Sequence, residues 1–151
     1  MAIQWIGNVT AKDTKDSIRN KIDHYSLKEE GGSLSYSGNL DGLQGFYNYF
    51  FFDASPYHVQ DVLFTTYQYS RESADKAFRY LKEKYRKLYG APEMQDIFLR
   101  TRYIEDNIVH IGEAGWSDDT LRLLIMMEWD RRFDCYNIRV TTKLKNNAKA
   151  E

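Results

Sequence analysis

Between Ser70 and Pro92, apolar residues recur at three- and four-residue steps: Ala74, Ala77, Phe78, Leu81, Tyr85 and Leu88 form one stripe of an amphipathic helix. Charge fills its other faces. Glu72 with Lys76, Asp75 with Arg79 and Glu83 with Lys87 place an acid one turn before a base, each pair contributing about 0.2–0.5 kcal/mol. Ser70 or Ser73 is positioned to accept a hydrogen bond from a free N–H at the start, and Gly90 followed by Pro92 supplies the stop. A shorter helix is predicted over Asp13 to His24, with Ile18, Ile22 and Tyr25 at helical spacing and Asp13 or Thr14 as cap.

The remaining pattern is that of strands. After a loop over Glu29 to Ser33, Leu34 and Tyr36 alternate with serines, and the segment Gly38 to Gly42 reads as a turn. Leu43 to Asp53 is aromatic or apolar almost throughout, with Phe46, Phe50 and Phe52 on one face and Leu43, Tyr47, Tyr49 and Phe51 on the other. The chain returns from the Ser55-Pro56 turn through a strand over Val59 to Tyr69. Beyond Pro92, strands are predicted over Ile97 to Ile104 and Asn107 to Ile111 around a turn at Glu105 and Asp106. A loop holding Gly112, Gly115 and Asp118-Asp119 follows, then strands over Thr120 to Trp129 and Phe133 to Thr142. Helix, three strands, helix, four strands predicts an α+β fold with two helices packed on one face of a mainly antiparallel sheet, an order open to reading as tandem α-β-β-β units. A single domain is expected over residues 1–142 and a flexible tail over 143–151.

A chain of 151 residues fits one domain and buries roughly two thirds of the surface its unfolded form exposes. Its 12 Tyr, 8 Phe and 3 Trp mark it as folded rather than disordered. Met1 to Thr10 lacks a basic region followed by an apolar run, and no stretch is long enough to cross a bilayer, so a cytoplasmic address without membrane contact is expected. Cys135 has no partner for a disulfide within the chain and reads as a core residue. A net charge of −1 from 21 basic and 22 acidic residues gives no general field for phosphate backbones, which argues against nucleic acid. Lys82, Lys84, Arg86 and Lys87, interrupted by Glu83, read as the solvated face of the long helix.

The strand, the amphipathic helix ending in Leu88-Tyr89-Gly90-Ala91-Pro92, Trp116 and the apolar strand Leu121 to Ile125 together resemble small bacterial domains of the beta-lactamase-inhibitor-protein-like superfamily. The resemblance covers the C-terminal half best and the segment Thr14 to Tyr69 in element order. It implies a sheet that grips another macromolecule by a concave aromatic face, and it assigns no functional residue.

Little in the chain points to catalysis. His24, His58 and His110 stand apart and lack metal-ligand spacing; His58 follows the Ser55-Pro56 turn, and His110 is expected to face outward from a strand. Glu105-Asp106 and Asp118-Asp119 are acid pairs in loop-like surroundings, where turn chemistry competes with an acid/base or cation site. No phosphate-cradling glycine loop, nucleophile elbow or metal-binding signature is present, so no metal, cofactor or catalytic residue is assigned. The aromatics are the remaining signal. Tyr47, Tyr49 and Phe51, with Tyr67 and Tyr69 on the partner strand, are expected to form a cross-strand binding platform, although such a stripe also suits a core. The leading expectation is a non-enzymatic, inhibitor- or immunity-like protein-binding module. The competing ones are a small-molecule-binding protein or hydrolase with a site near His58, Glu113 and Asp118, and a homo-oligomer formed through the sheet.

Overall fold

The computed structural model describes residues 2–105 and 107–145, the side chains of 94–105 excepted. Helix α1 (Lys15–Lys21) is followed by β1 (Lys28–Glu30), β2 (Ser33–Leu40), β3 (Leu43–Phe51) and β4 (Val59–Gln68). Helix α2 (Arg71–Tyr89) then leads to β5 (Met94–Glu105), β6 (Ile108–Ser117), β7 (Leu121–Asp130) and β8 (Cys135–Leu144). The strands form one eight-stranded antiparallel sheet in the order β1-β2-β3-β4-β8-β7-β6-β5. The chain is therefore α+β and mostly sheet. Two four-strand meanders meet where β4 pairs with β8.

Both helices begin as their sequences dictate. Ser70 caps α2 by accepting from the Ser73 N–H at 3.1 Å, and Gly90, at φ 88°, ends it. Ala74, Ala77, Phe78, Leu81 and Tyr85 are buried as the periodicity predicts, whereas Leu88 is half exposed at the last turn. Asp75 pairs with Arg71, and Glu83 with Arg86, in place of the expected Arg79 and Lys87. In α1 the cap is Thr14, locked with Ser17 in a reciprocal capping box. This helix stops at Lys21, so Tyr25 never comes round to the apolar side; it is 97% exposed, its ring stacked on His24.

One face of the sheet is closed. A cross-strand row of Tyr36, Tyr47, Phe64, Val140, Ile125 and Ala114 runs from β2 to β6, and a second joins Leu34, Tyr49, Val62, Thr142, Leu123 and Trp116. Most of these side chains are buried in one core with Ile18 of α1, the apolar face of α2, and Ile3, Ile6 and Val9 of the N-terminal segment. Trp116 anchors the end of α2, donating from Nε1 to the Gly90 carbonyl at 2.9 Å while meeting the Tyr85 ring edge-on. The N-terminal segment is held by the Thr142 hydroxyl, which accepts from the Ile6 N–H, and by the Tyr49 hydroxyl, which donates to the Gly7 carbonyl.

Several segments depart from the pattern-based expectation. Gly38 lies within β2 rather than in a turn; it sits opposite Gly45, and the Tyr47 ring lies where a Cβ at Gly38 would go. The turn itself is Asp41-Gly42, both at positive φ, as a two-residue hairpin of primed type requires. Lys28–Glu30, expected as loop, adds the short edge strand β1. Gly112 and Gly115 belong to β6, because pairing with β5 and β7 on both sides overrides the weak strand preference of glycine. Strand β8 extends past the expected limit at Thr142 to Leu144, whose buried side chain lies opposite Leu121; residues 146–151 of the expected tail lie outside the described residues. Asp106, at the expected Glu105-Asp106 turn, lies outside them too, and Glu105 ends β5.

Two carboxylates pin segments that have no ladder of their own. Asp13 accepts from the Thr10 N–H, the Ser17 hydroxyl and the Lys21 ammonium at 2.8–2.9 Å. Asp118 accepts from the N–H groups of Ile3, Thr120 and Leu121 at 2.7–2.8 Å. Desolvation pushes each carboxyl up, but these hydrogen bonds outweigh it and hold both below the ordinary value of 3.8. A depressed folded-state value means that the unfolded chain binds protons first as pH falls. The stabilisation from Asp13 and Asp118 is therefore complete above the ordinary carboxyl range and is lost as pH drops through their folded values. Urea midpoints measured from neutral to acid pH are expected to fall in that window, and less steeply in a D13N/D118N variant.

A second prediction concerns Gly45, where a Cβ would stand 2.2 Å from the Thr65 carbonyl oxygen and 2.7 Å from the Phe64 ring. Backbone cannot retreat as a flexible side chain can. Gly45→Ala is expected to destabilise the protein by about 1–3 kcal/mol or more, read from the shift in urea midpoint.

Candidate binding face

The side chains that alternate with the core rows define the other face of the sheet. Register places Ser37, Phe46, Thr65, Arg139, Met126 and Glu113 in one row across it. The next row holds Ser35, Asn48, Leu63, Thr141, Leu124 and Gly115, and the one after it Phe50, Asp61, Lys143, Arg122 and Ser117.

This register corrects the expected tyrosine platform. Phe46 lies opposite Thr65 and Tyr47 opposite Phe64, so Tyr67 of β4 shares a face with Phe46, not with Tyr47 and Tyr49. Tyr47 and Tyr49 are 4% and 0% exposed and belong to the core. Their hydroxyls donate to the carbonyls of Asn39 and Gly7, and burial pushes both phenols well above the ordinary value of 10.0. Phe51 is half-buried against the same core. Tyr67 and Tyr69 are exposed, and the Tyr67 ring meets Phe46 edge-on at 6.0 Å. Among the described residues, the exposed aromatic side chains of this second face are Phe46, Phe50 and Tyr67, at 45%, 37% and 44%.

A polar end adjoins this patch. His110, Glu128 and Asn137 lie side by side on β6, β7 and β8, and all three are buried. His110, expected as an outward-facing strand residue, does lie on β6 and on the face away from the core rows, but it is buried there, with Nε2 3.8 Å from Glu113. Arg139 stands 3.8 Å from Glu128. Nearer the edge, Asp130 accepts a charge-assisted pair from Arg132, whose hydrogen bond holds the carboxyl below its ordinary value. Among the described residues, no group of His, Cys, Asp and Glu could hold a metal ion.

The expected His58, Glu113 and Asp118 constellation is not assembled. His58 forms the isolated bridge to Thr14 that ties α1 to β4. Glu113 belongs to the polar end, and Asp118 is engaged by backbone N–H groups. The turn reading of Asp118 is the one its hydrogen bonds support. Cys135 is free and buried, and desolvation pushes its thiol up, away from the reactive thiolate.

A cleft of about 420 Å³ opens at the opposite end of the face, over Gly115, Leu124 and Thr141. Arg122, Lys143 and Lys145 line it together with Glu93. None of these three cations was singled out from the sequence. Arg122 was legible as the polar member of an alternating strand, but Lys143 and Lys145 fell in the expected tail.

No protein family model, no characterised protein and no solved structure matches this chain. No helix among the described residues is long and apolar enough to cross a membrane.

The two tyrosine sets separate in a stability measurement. Tyr49→Ala is expected to cost about 3–5 kcal/mol, as loss of a buried aromatic does, and Tyr49→Phe about 1 kcal/mol for the lost hydrogen bond. Tyr67→Ala is expected to stay within about 0.5 kcal/mol of the parent in the same urea titration.

Proposed function

We propose that this protein is a non-enzymatic binding module that engages a protein partner through the second face of its sheet, in an inhibitor- or immunity-like role. One observation carries the reading: Phe46, Phe50 and Tyr67 expose large rings on one face, beside half-exposed Leu63, Leu124 and Met126. Scattered apolar residues are ordinary on a surface, but a contiguous patch rimmed by polar groups marks an interaction site. Rings on adjacent strands offer large contact area at small entropy cost, and the flanking sheet holds them in place. The resemblance to beta-lactamase-inhibitor-protein-like domains points the same way, since it implies partner capture by a sheet face. In this reading α1 with β1–β4 and α2 with β5–β8 are tandem units, each contributing half of the face. The setting is a reducing cytoplasm, where the buried Cys135 thiol persists.

The decisive comparison is affinity capture from the cell of origin, with sedimentation in parallel, using the wild type, F46S/Y67S and the helix-face control Y80S. The double variant alters only exposed rings and is expected to fold. Recovery of a specific protein by the wild type and Y80S, reduced at least about tenfold in F46S/Y67S, is the expected result. Equal recovery by the folded double variant overturns the proposal. Self-association lost in F46S/Y67S would make the partner a second copy of the chain.

A further inference from the structure

We propose that the cleft over Gly115, Leu124 and Thr141 binds a small organic anion, its carboxylate or phosphate held by Arg122 and Lys143 and its apolar body resting on the cleft floor. This site shares Leu124 with the proposed partner-binding patch but uses neither Phe46 nor Tyr67, so separate variants test the two.

Register makes the argument. Arg122 and Lys143 are directly opposite each other on β7 and β8, and both are exposed. Like charges facing each other across two strands destabilise a sheet. Lys145 adds a third positive charge to the same cleft. Among the described residues, none of the three forms an ion pair. Two acids stand nearby. Glu93 lines the cleft, and one of its carboxylate oxygens accepts from the Ser117 hydroxyl at 2.7 Å. Asp61 lies opposite Lys143 on β4 and attracts its ammonium, but stands outside the cleft lining, where, among the described residues, Arg122 and Lys145 have no such partner. Three cations against one carboxylate leave the lining at +2, on a chain whose net charge is −1. An anion placed between Arg122 and Lys143 relieves their repulsion, so binding is favoured by more than the new contacts alone.

The floor supplies the other half of the recognition. Gly115 on β6 lies directly opposite the half-exposed Leu124, and Thr141 completes the row with a hydroxyl. Trp116 and Leu123 contribute to the lining from the strands beneath. A flat or aliphatic group can therefore lie against strand backbone, with the charged head turned toward β7 and β8. The volume is in the range of small-molecule sites.

The test is a titration of the full-length protein followed by ¹H–¹⁵N NMR, with phenyl phosphate and benzoate as separate probes and inorganic phosphate and benzyl alcohol as controls. Saturable shifts centred on the amides of Gly115, Leu124 and Thr141 are expected with at least one organic anion, and the better probe identifies the head group. R122Q/K143Q is expected to weaken that binding about tenfold or more, while F46S/Y67S leaves it unchanged. No saturable shift, shifts centred elsewhere, or equal binding by the folded R122Q/K143Q variant overturns the site. Inorganic phosphate binding as tightly as phenyl phosphate removes the role of the floor, and benzyl alcohol binding as tightly removes that of the cations. Without ligand, Arg122→Gln is expected to keep or raise the Tm by relieving like-charge opposition; a lowered Tm overturns the premise that Arg122 is structurally unpartnered.

Discussion

Burial of the row from Tyr36 to Ala114 on one face of the sheet is the interaction on which the rest of this structure depends. Six of the eight strands contribute to it between β2 and β6, so the two meanders cannot separate without exposing it. At about 25 cal/mol per Å² of apolar surface removed from water, large side chains such as Tyr47, Phe64 and Ile125 dominate the stabilisation. Helix α2 and the N-terminal segment exist to close this row, and their apolar residues are spaced for it. Space inside the row is tight: Gly38 and Gly45 are glycines because aromatic rings and the β4 backbone occupy the room a Cβ would need.

Polar groups finish what apolar burial begins. The N-terminal segment makes no ladder, yet the Asp118 carboxylate and the Thr142 hydroxyl accept from its N–H groups, and its Gly7 carbonyl accepts from Tyr49. Asp13 does the same for the approach to α1. These anchors explain why acids in loop-like surroundings serve structure here rather than catalysis. A carboxylate already accepting three hydrogen bonds, with its ionised form favoured, is a poor proton carrier near neutral pH.

The core takes one face of the sheet and leaves the other. It is chemically graded, with a buried His110–Glu128–Asn137 row at one end, exposed rings over β3 and β4, and a cleft with three cations and one carboxylate at the other end. A gradient of this kind suits recognition, because apolar contact gives affinity while fixed charges set orientation.

The sequence by itself determined the α+β class, the limits of α2 and the apolar stripe that α2 buries, since helix periodicity and caps are local properties. It also determined that β3 is aromatic on both faces. Only the tertiary structure decided which of those faces is which. A one-residue change of register exchanges the two sides of a strand, and register is set by partners distant in sequence, so Tyr47 and Tyr49 became core while Phe46 and Phe50 became surface. The same long-range pairing drew Gly112 and Gly115 into β6 and Lys143 into β8, and brought Arg122 and Lys143 face to face. No local pattern in the chain encodes that encounter, because Arg122 and Lys143 are 21 residues apart and meet only when β7 and β8 pair in this register.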